Sequence, residues 1–463
     1  MRVATSPFAR LERRFGERLV LPGDARYDSA RAVWNGMVDK RPSAVARCGS
    51  AADVAAAIRC ARDAGLPLSV RGGGHQIAGA AVVEGGLVLD LSPLRTADVV
   101  AAEGEAEGTA EGTAEGTAAG TVSVGGGALL SDLDRACSRH GVAVPAGVVS
   151  HTGVGGLTLG GGIGWLSTSR GLTCDNLLEV EMVTAAGDTL TVGPDAHPDL
   201  FWALRGAGAN FGVATRFVFR PHLLADVVVG HRDLPLDAAP GALAHLGEVV
   251  ESLPRELAVL ARLQRVGGAP TLTVEWVWSG GLCGAERGVA ALGLGGEAAA
   301  SRVRRFAAVQ SQQDHRFPHG GLYYLKPAQL AGLGPGQVDA LVDGASELPG
   351  GDPQIEVLRL RGAVEDVDQD LSAFPRRSTA FGVNVAACWT DPADSAEQIR
   401  WARRAHAAID AAGTGGAYLN FVGTEVPDLE VVFGRAALDR LRRVKHDYDP
   451  DDVFRPAAHI TPT

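Results

Sequence analysis

The sequence predicts an α+β protein, and three observations carry that reading. Helical and extended patterns alternate, but strands are joined as often by turns as by helices, which disfavours a doubly wound sheet. No Gly-x-Gly-x-x-Gly occurs, although 61 of the 463 residues are glycine, so the usual dinucleotide turn is missing. The character of the chain changes after Pro221, where "LAVLARLQRV" and "TLTVEWVWSG" read as strands of a separate sheet. A chain of this length holds two or three domains.

The elements follow in order. "SAADVAAAIRCARDAG" opens on a Ser-x-x-Asp cap at Ser50 and Asp53 and stops at Gly65, which predicts a helix. "LPLSV" is a strand running into glycines, and "LVLDLS" (Leu87 to Ser92) is a second. "TVSVGGG" is a third, followed by the helix "ALLSDLDRACSRHG", closed by Gly141. "VEMVTAAGDTLTVG" is two strands about a turn at Ala186-Gly187-Asp188. "PDLFWALRG" carries Pro198 in the first turn of a short helix, and "GVATRFVFR" is a strand. "SAEQIRWARRAHAAIDAAG" is a helix with an apolar stripe. The last helix stops before Pro450, and its Arg442, Arg443 and Lys445 read as a solvated face. Between Ala101 and Thr121 the unit Glu-Gly-Thr-Ala repeats every four residues. It has no large apolar group to bury and is expected to be a flexible loop extending a hairpin.

Composition excludes several function classes. The net charge of −11 argues against nucleic acid, whose binding needs a basic face, and against an anionic membrane surface. No apolar run reaches a membrane span, and no continuous apolar segment follows the N-terminal arginines. A cytoplasmic protein is therefore expected. The six cysteines (Cys48, Cys60, Cys137, Cys174, Cys283, Cys388) form no Cys-x-x-Cys, and no His-Glu-x-x-His occurs. They are expected to be half-buried thiols, with no metal site.

Two glycine runs carry the chemistry. "VRGGGHQ" sets three glycines between Arg71 and His75, and "HTGVGGLTLGGGIGW" spans His151 to Trp165. Consecutive glycines let backbone N–H groups converge in a nest suited to pyrophosphate. No Gly-Lys-Ser/Thr follows, so neither run is a P-loop. Two such runs suit one extended ligand. On these residues alone, His75 either bonds to that ligand or packs beneath it.

"VRGGGHQIAG", "VPAGVVSHTGVGGLTLGGGIGWLSTSRGLTCDNLLEVEMVTAAG", "DLFWALRGAGANFGVATRF", "AYLNF" and "LRRVKHDYDPDDVFR" together resemble the berberine-bridge-enzyme-like FAD-linked oxidases of the vanillyl-alcohol oxidase superfamily. The resemblance covers nearly the whole chain. It implies a PCMH-type FAD-binding domain built from both chain ends (1–222 and 415–463). A substrate domain, an antiparallel sheet covered by helices, is inserted at 223–414. It implies FAD bonded covalently through its 8α carbon to His75. Some members add a cysteine link in Pro-Ala-Gly-Val-Cys; this chain reads Val149 there, so attachment through His75 only is expected. The remaining implied cofactor contacts are Arg71, Gly72, Gly73, Gly74, Gln76, Ser150, His151, Thr152, Gly153, Gly155, Gly156, Gly160, Gly161, Gly164, Trp165, Gly212, Val213 and Asn420.

The resemblance also implies the base. Bacterial relatives use the tyrosine of Tyr-x-Asn, here Tyr418-Leu419-Asn420. A free phenol titrates near ~10, so a nearby cation is expected to tune it, with Lys326 or Arg376 as candidates. Tyr323 and Tyr324 are expected as walls of the substrate pocket, with one of them, Tyr324 foremost, able to share the proton. The alternative for Tyr418 is a ring packed on the flavin. The chain departs from the family at Arg376, often a histidine, at "VVFGRAALDRL" and at "PAAHI". The expected protein is a covalent FAD-dependent oxidase of a small organic substrate, a natural-product intermediate or sugar hydroxyl. Molecular oxygen is the expected acceptor, hydrogen peroxide the product, and a monomer or homodimer the expected state. Its rivals are an oxidative cyclase and a flavin-carrying protein without turnover.

Overall fold

The computed structural model describes residues 8–101, 120–294 and 301–463. Its N-terminal part holds two larger sheets and a two-stranded pair, Val142–Ala143 with His222–Leu223. In the first, strands Leu19–Val20, Ala44–Arg47, Leu87–Asp90 and Leu68–Arg71 lie side by side in that order. The last three are parallel, because the helix Ala51–Asp63 supplies the crossover. Ser50 caps that helix, its side chain accepting from the Asp53 N–H at 3.2 Å. Val54, Ala57, Ile58 and Ala61 then bury one helical face with the strand residues Ala44, Ala46, Leu87 and Leu89.

The second sheet runs Ala97–Val100, Thr121–Gly125, Val213–Phe219, Leu177–Val183 and Thr189–Val192, all antiparallel. Its core takes Leu200, Phe201 and Leu204 from the helix Pro198–Leu204. It also takes Leu438, Leu441 and Val444 from the helix Arg435–Tyr448. The two ends of the chain thus share one hydrophobic core. The Glu-Gly-Thr-Ala repeat lies outside the described residues; the strands flanking it pair directly, Val100 opposite Thr121.

The third sheet lies wholly within the segment after Pro221. Its seven antiparallel strands run Arg302–Arg305, Asp226–Pro235, Ala269–Trp278, Leu257–Val266, Gln354–Arg359, Phe381–Trp389 and Leu322–Leu330. Strand alternation divides its faces. Val259, Ala261, Leu263, Ile355, Val357, Val383 and Val385 pack beneath the helices Ala239–Val249, Pro335–Ser346 and Ser395–Ala411. The intervening residues, among them Arg262, Glu356 and Asn384, face the other way.

The C-terminal helix corrects one expectation. Arg443 is exposed, but Lys445 is fully buried. Helical spacing places Lys445 on the face of Leu438 and Leu441, turned into the core. Its ammonium pairs with Asp449 at 2.6 Å and donates to the Asn210 and Phe454 carbonyls at 2.9 and 2.6 Å. The cysteines also differ in part from the expectation: Cys48, Cys137, Cys174 and Cys388 are buried, Cys60 is half-buried and Cys283 is exposed, all of them free.

Removing one partner of a buried pair leaves an uncompensated charge and costs about 3–5 kcal/mol. Lys445→Ala is expected to lose that much stability in denaturant unfolding. Arg443→Ala is expected to stay within about 0.5 kcal/mol of the parent. Equal losses would show that Lys445 is not the fastener.

Candidate active site

The strand Leu68–Arg71 delivers the first glycine run, and its neighbour Leu87–Asp90 supplies Asp90 to hold it. Arg71 pairs with Asp90 at 2.9 Å and also donates to the Ala30 and Ala32 carbonyls. Gly74 adopts φ +71°, a left-handed conformation natural to glycine, and turns the chain onto His75. The His75 ring stacks on Trp34, centroids 4.7 Å apart and planes 16° from parallel. Trp34 stacks in turn on Tyr323 at 3.9 Å. Asn35 donates to the carbonyls of Ile77 and Tyr323 at 2.9 and 3.0 Å. Trp34 and Asn35 therefore tie the N-terminal part to the seven-stranded sheet.

The second run meets the first backbone to backbone. A Cβ on Gly73 would lie 2.3 Å from the Gly153 nitrogen, and a Cβ on Gly153 would lie 2.3 Å from the Gly73 nitrogen. Neither position admits a side chain. The runs form one wall of a cleft with a free volume of about 300 Å³. Gly72, Gly73, Gly74, His75, Gln76, Val149, Thr152, Gly153 and Gly156 line it. Asn210 and the segment Phe454 to Ala458 close one end, where Lys445 holds the Asn210 and Phe454 carbonyls. Tyr418, Leu419, Asn420, Leu325, Glu356 and Asn384 are also among the lining residues. A long, bare-backbone cleft with polar groups at intervals fits a dinucleotide flavin.

The remaining expected cofactor contacts support the wall from behind. Ser150 donates through its N–H and hydroxyl to the Asp314 carboxylate, at 2.7 and 2.6 Å. His151 bonds to His75, Nδ1 to Nε2, at 2.6 Å. Gly155 lies against Phe217, Gly160 against Asn420, Gly161 against Phe374 and Gly164 against the Ala146 carbonyl. Trp165 is buried in a side core, Gly212 abuts Met182, and Val213 is buried in the strand that follows. None of these residues lines the cleft, and neither does Arg71.

Tyr418 is buried beside Phe374 and Phe421. Its oxygen accepts from the Gly162 and Ile163 N–H groups, each at 3.2 Å, and from Asn420 Nδ2 at 2.8 Å. A neutral phenol has two acceptor lone pairs, so three donors suit a phenolate better. Burial opposes them and wins in the free protein, pushing the phenol up to about 12.

The expectation of a tuning cation is corrected. Tyr324 and Lys326 share a strand with Tyr323 and Leu325, but alternation sends them to the opposite face. There both bind Glu425, at 2.6 and 2.8 Å, and Arg403 joins them. Arg376 donates to the Val431 carbonyl at 2.7 Å. Backbone N–H groups and Asn420 stand where a cation was expected. Tyr323 is committed too, donating to the Pro318 carbonyl at 2.6 Å.

Four residues at the site were not anticipated: Trp34, His319, Glu356 and Asn384. His319 is exposed, and the nitrogens of His75, His151 and His319 lie within 4.8 Å of one another, a spacing at which a metal ion could also sit. Glu356 accepts from Asn384 at 3.0 Å and from the wholly buried Arg262 at 3.3 Å; Arg262 also pairs with Glu275. The Asn384 Oδ1 is buried without a partner and stands ready for a ligand donor. A signal existed for Glu356, since "QIEVLR" sets Gln354 and Glu356 on one parity with the apolar Ile355 and Val357 on the other.

Comparison with known proteins places this geometry. Residues 42–193 match the FAD binding domain model, and residues 417–460 match the model "Berberine and berberine like". The chain is 32% identical to (R)-6-hydroxynicotine oxidase of Paenarthrobacter nicotinovorans, over 96% of each chain. The crystal structure of 6-hydroxy-D-nicotine oxidase from Arthrobacter nicotinovorans superposes with a TM-score of 0.82 at 29% identity, covering 96% of this chain and 98% of that one. Aclacinomycin oxidoreductase superposes at 0.80 with 26% identity, over 96% and 99%. The chain belongs to the berberine-like family of FAD-linked oxidoreductases. It is an enzyme that binds FAD and acts on a small molecule.

A methyl group at Gly73 must push the two runs apart, and overpacking of this kind costs about 1–3 kcal/mol. Gly73→Ala is expected to lower the melting temperature and to purify with little FAD. At Gly156 a Cβ meets nothing within 4 Å. Gly156→Ala is expected to leave the melting temperature unchanged or higher. A Gly73→Ala protein with full FAD content would show that the contact is dispensable.

Proposed function

We propose that the protein is a covalent FAD-dependent oxidase of a small organic substrate. When bound, the flavin accepts hydride from a substrate carbon and passes the electrons to molecular oxygen, giving hydrogen peroxide. His75 holds it through one covalent bond, supported by its place in the cleft wall. Val149 lines the cleft where some relatives have a second linking residue, and none of the six cysteines lines it. Tyr418 takes the proton from the substrate hydroxyl. The observation that carries this role is the set of three N–H donors on its oxygen, which stabilises the phenolate form that accepts the proton. Asn384 and Glu356, on the opposite wall, orient the substrate. The substrate class is a natural-product intermediate or a sugar hydroxyl.

A second reading replaces the hydroxyl by a basic nitrogen. Similarity to (R)-6-hydroxynicotine oxidase and the Glu356 carboxylate on the cleft wall support it. Alcohol and amine panels, scored by anaerobic flavin bleaching and then by peroxide release, separate the two.

Covalent attachment is tested by acid precipitation. Wild-type protein is expected to stay yellow, and His75→Ala to release its colour or purify without flavin. Colour lost from wild type, or flavin recovered on a cysteine peptide, would overturn the single histidyl link.

Tyr418→Phe keeps the ring and removes the oxygen. Loss of a general base typically costs about a hundredfold to ten-thousandfold. Rapid-mixing flavin reduction is expected to slow by that range while substrate affinity moves far less. A phenol held near 12 is mostly protonated at neutral pH, so the wild-type rate is expected to climb as pH rises. The Phe variant should lose that climb. Reduction within about threefold of wild type, short of the smallest general-base effect, would remove Tyr418 from the role.

A further inference from the structure

Bonding His75 to a flavin requires the imidazole to lose its N–H proton, and the structure surrounds that proton with two more histidines. His75 Nε2 lies 2.6 Å from His151 Nδ1. Its Nδ1 has no hydrogen-bond partner among the described residues. His151 lies beside His319, ring centroids 4.8 Å apart, and His319 is exposed. Trp34 clamps the His75 ring from its face, so the ring cannot turn away from His151.

We propose that His151 and His319 form a proton relay that drives attachment of FAD to His75; this rests on the covalent reading above. His75 carries its proton on Nε2 and donates it to His151. The Nδ1 lone pair forms the new bond to the flavin 8α carbon. One C8α–H bond and the His75 N–H bond are lost. The C8α proton leaves to solvent, and the Nε2 proton passes to His151 and on to His319 at the surface. The electron pair reduces the flavin ring, which takes up two protons. Molecular oxygen, the acceptor already named, reoxidises it to give hydrogen peroxide.

The surrounding charges suit this role. Burial and the neighbouring histidines hold His75 well below the usual imidazole range, which keeps the nucleophile neutral. His151 is also held low, chiefly by burial and by His319. Asp314, hydrogen-bonded to the adjacent Ser150, pulls His151 the other way and steadies the proton once it arrives. Although exposed, the His319 ring is partly desolvated by the protein around it, which lowers it too and favours release to water.

The test uses full-length protein made in a riboflavin-limited host. FAD is added to the apo protein, samples are quenched in acid, and protein-bound flavin fluorescence is read on a denaturing gel. His151→Phe is expected to slow attachment about a hundredfold, the scale of a lost general base. Non-covalent FAD binding and melting temperature should stay near wild type. Millimolar imidazole should restore the rate in His151→Ala. His319→Ala should slow it about threefold, since water replaces an exposed acceptor. The wild-type rate should fall in acid as His151 becomes protonated, and the Phe variant should be flat there. If His151→Phe loses FAD binding, His151→Gln decides, because it accepts the hydrogen bond but cannot relay the proton. Attachment within threefold of wild type in either variant overturns the relay and leaves the covalent reading intact. A stoichiometric metal ion retained by the apo protein at these histidines also overturns it, since their lone pairs would be engaged. Wild type that never becomes covalent overturns the reading itself.

Discussion

Everything at the site depends on two stretches of backbone touching without side chains between them. Gly73 and Gly153 are 80 positions apart in sequence, yet each would drive a Cβ into the other's nitrogen. The contact is fixed from both sides. The first run leaves a strand whose end is tied through Arg71 to Asp90. The second is laced to the neighbouring chain, Leu130 N–H to the Thr152 carbonyl at 2.9 Å and Val154 N–H to the Ala128 carbonyl at 2.9 Å. Because the backbones meet, the residues beside them meet too, and His75 is set against His151.

The second wall of the cleft belongs to a separate sheet, and its usefulness follows from strand parity. One face is sealed by three helices and is apolar; the other presents Arg262, Glu356 and Asn384. Burying a guanidinium is tolerated because two carboxylates and Gln313 surround it. Trp34 and Asn35 then dock this face on the flavin-binding part. At the far end, Lys445 holds Asn210 and Phe454 to the last helix, so the chain's C-terminus becomes part of the cleft.

Charge at the centre is managed without an ion pair on the reacting groups. Tyr418 is surrounded by N–H dipoles rather than by a cation; burial keeps its phenol protonated at rest, and the three donors favour the phenolate once the proton leaves. His75 and His151 are held toward the neutral form for a parallel reason, since burial disfavours the imidazolium in each. Of the two candidate cations, Lys326 is spent on Glu425 on the outer face of the sheet, where Arg403 joins it, and Arg376 on the Val431 carbonyl.

Local signals sufficed where a residue's role is set by its immediate neighbours. The Ser50 cap, the strand-to-glycine turn at His75 and Pro198 at a helix start were readable from the chain itself, because a few consecutive residues decide them, whereas the Tyr418-Leu419-Asn420 motif was read through the family resemblance. Parity and burial were not. Tyr323 and Tyr324 are adjacent and chemically alike, and only the pairing of their strand decides which one faces the flavin side. Lys445 looks like a surface charge until Asp449 and two carbonyls are brought around it. Trp34, His319 and Glu356 reach the site from segments far apart in sequence, so no window of the chain contains their partners. The sequence by itself determined the glycine-rich backbone and which ionisable side chains are available, since those depend on residue type. The tertiary structure alone decided which side chains share a cavity, because that depends on strand register and on packing between distant segments.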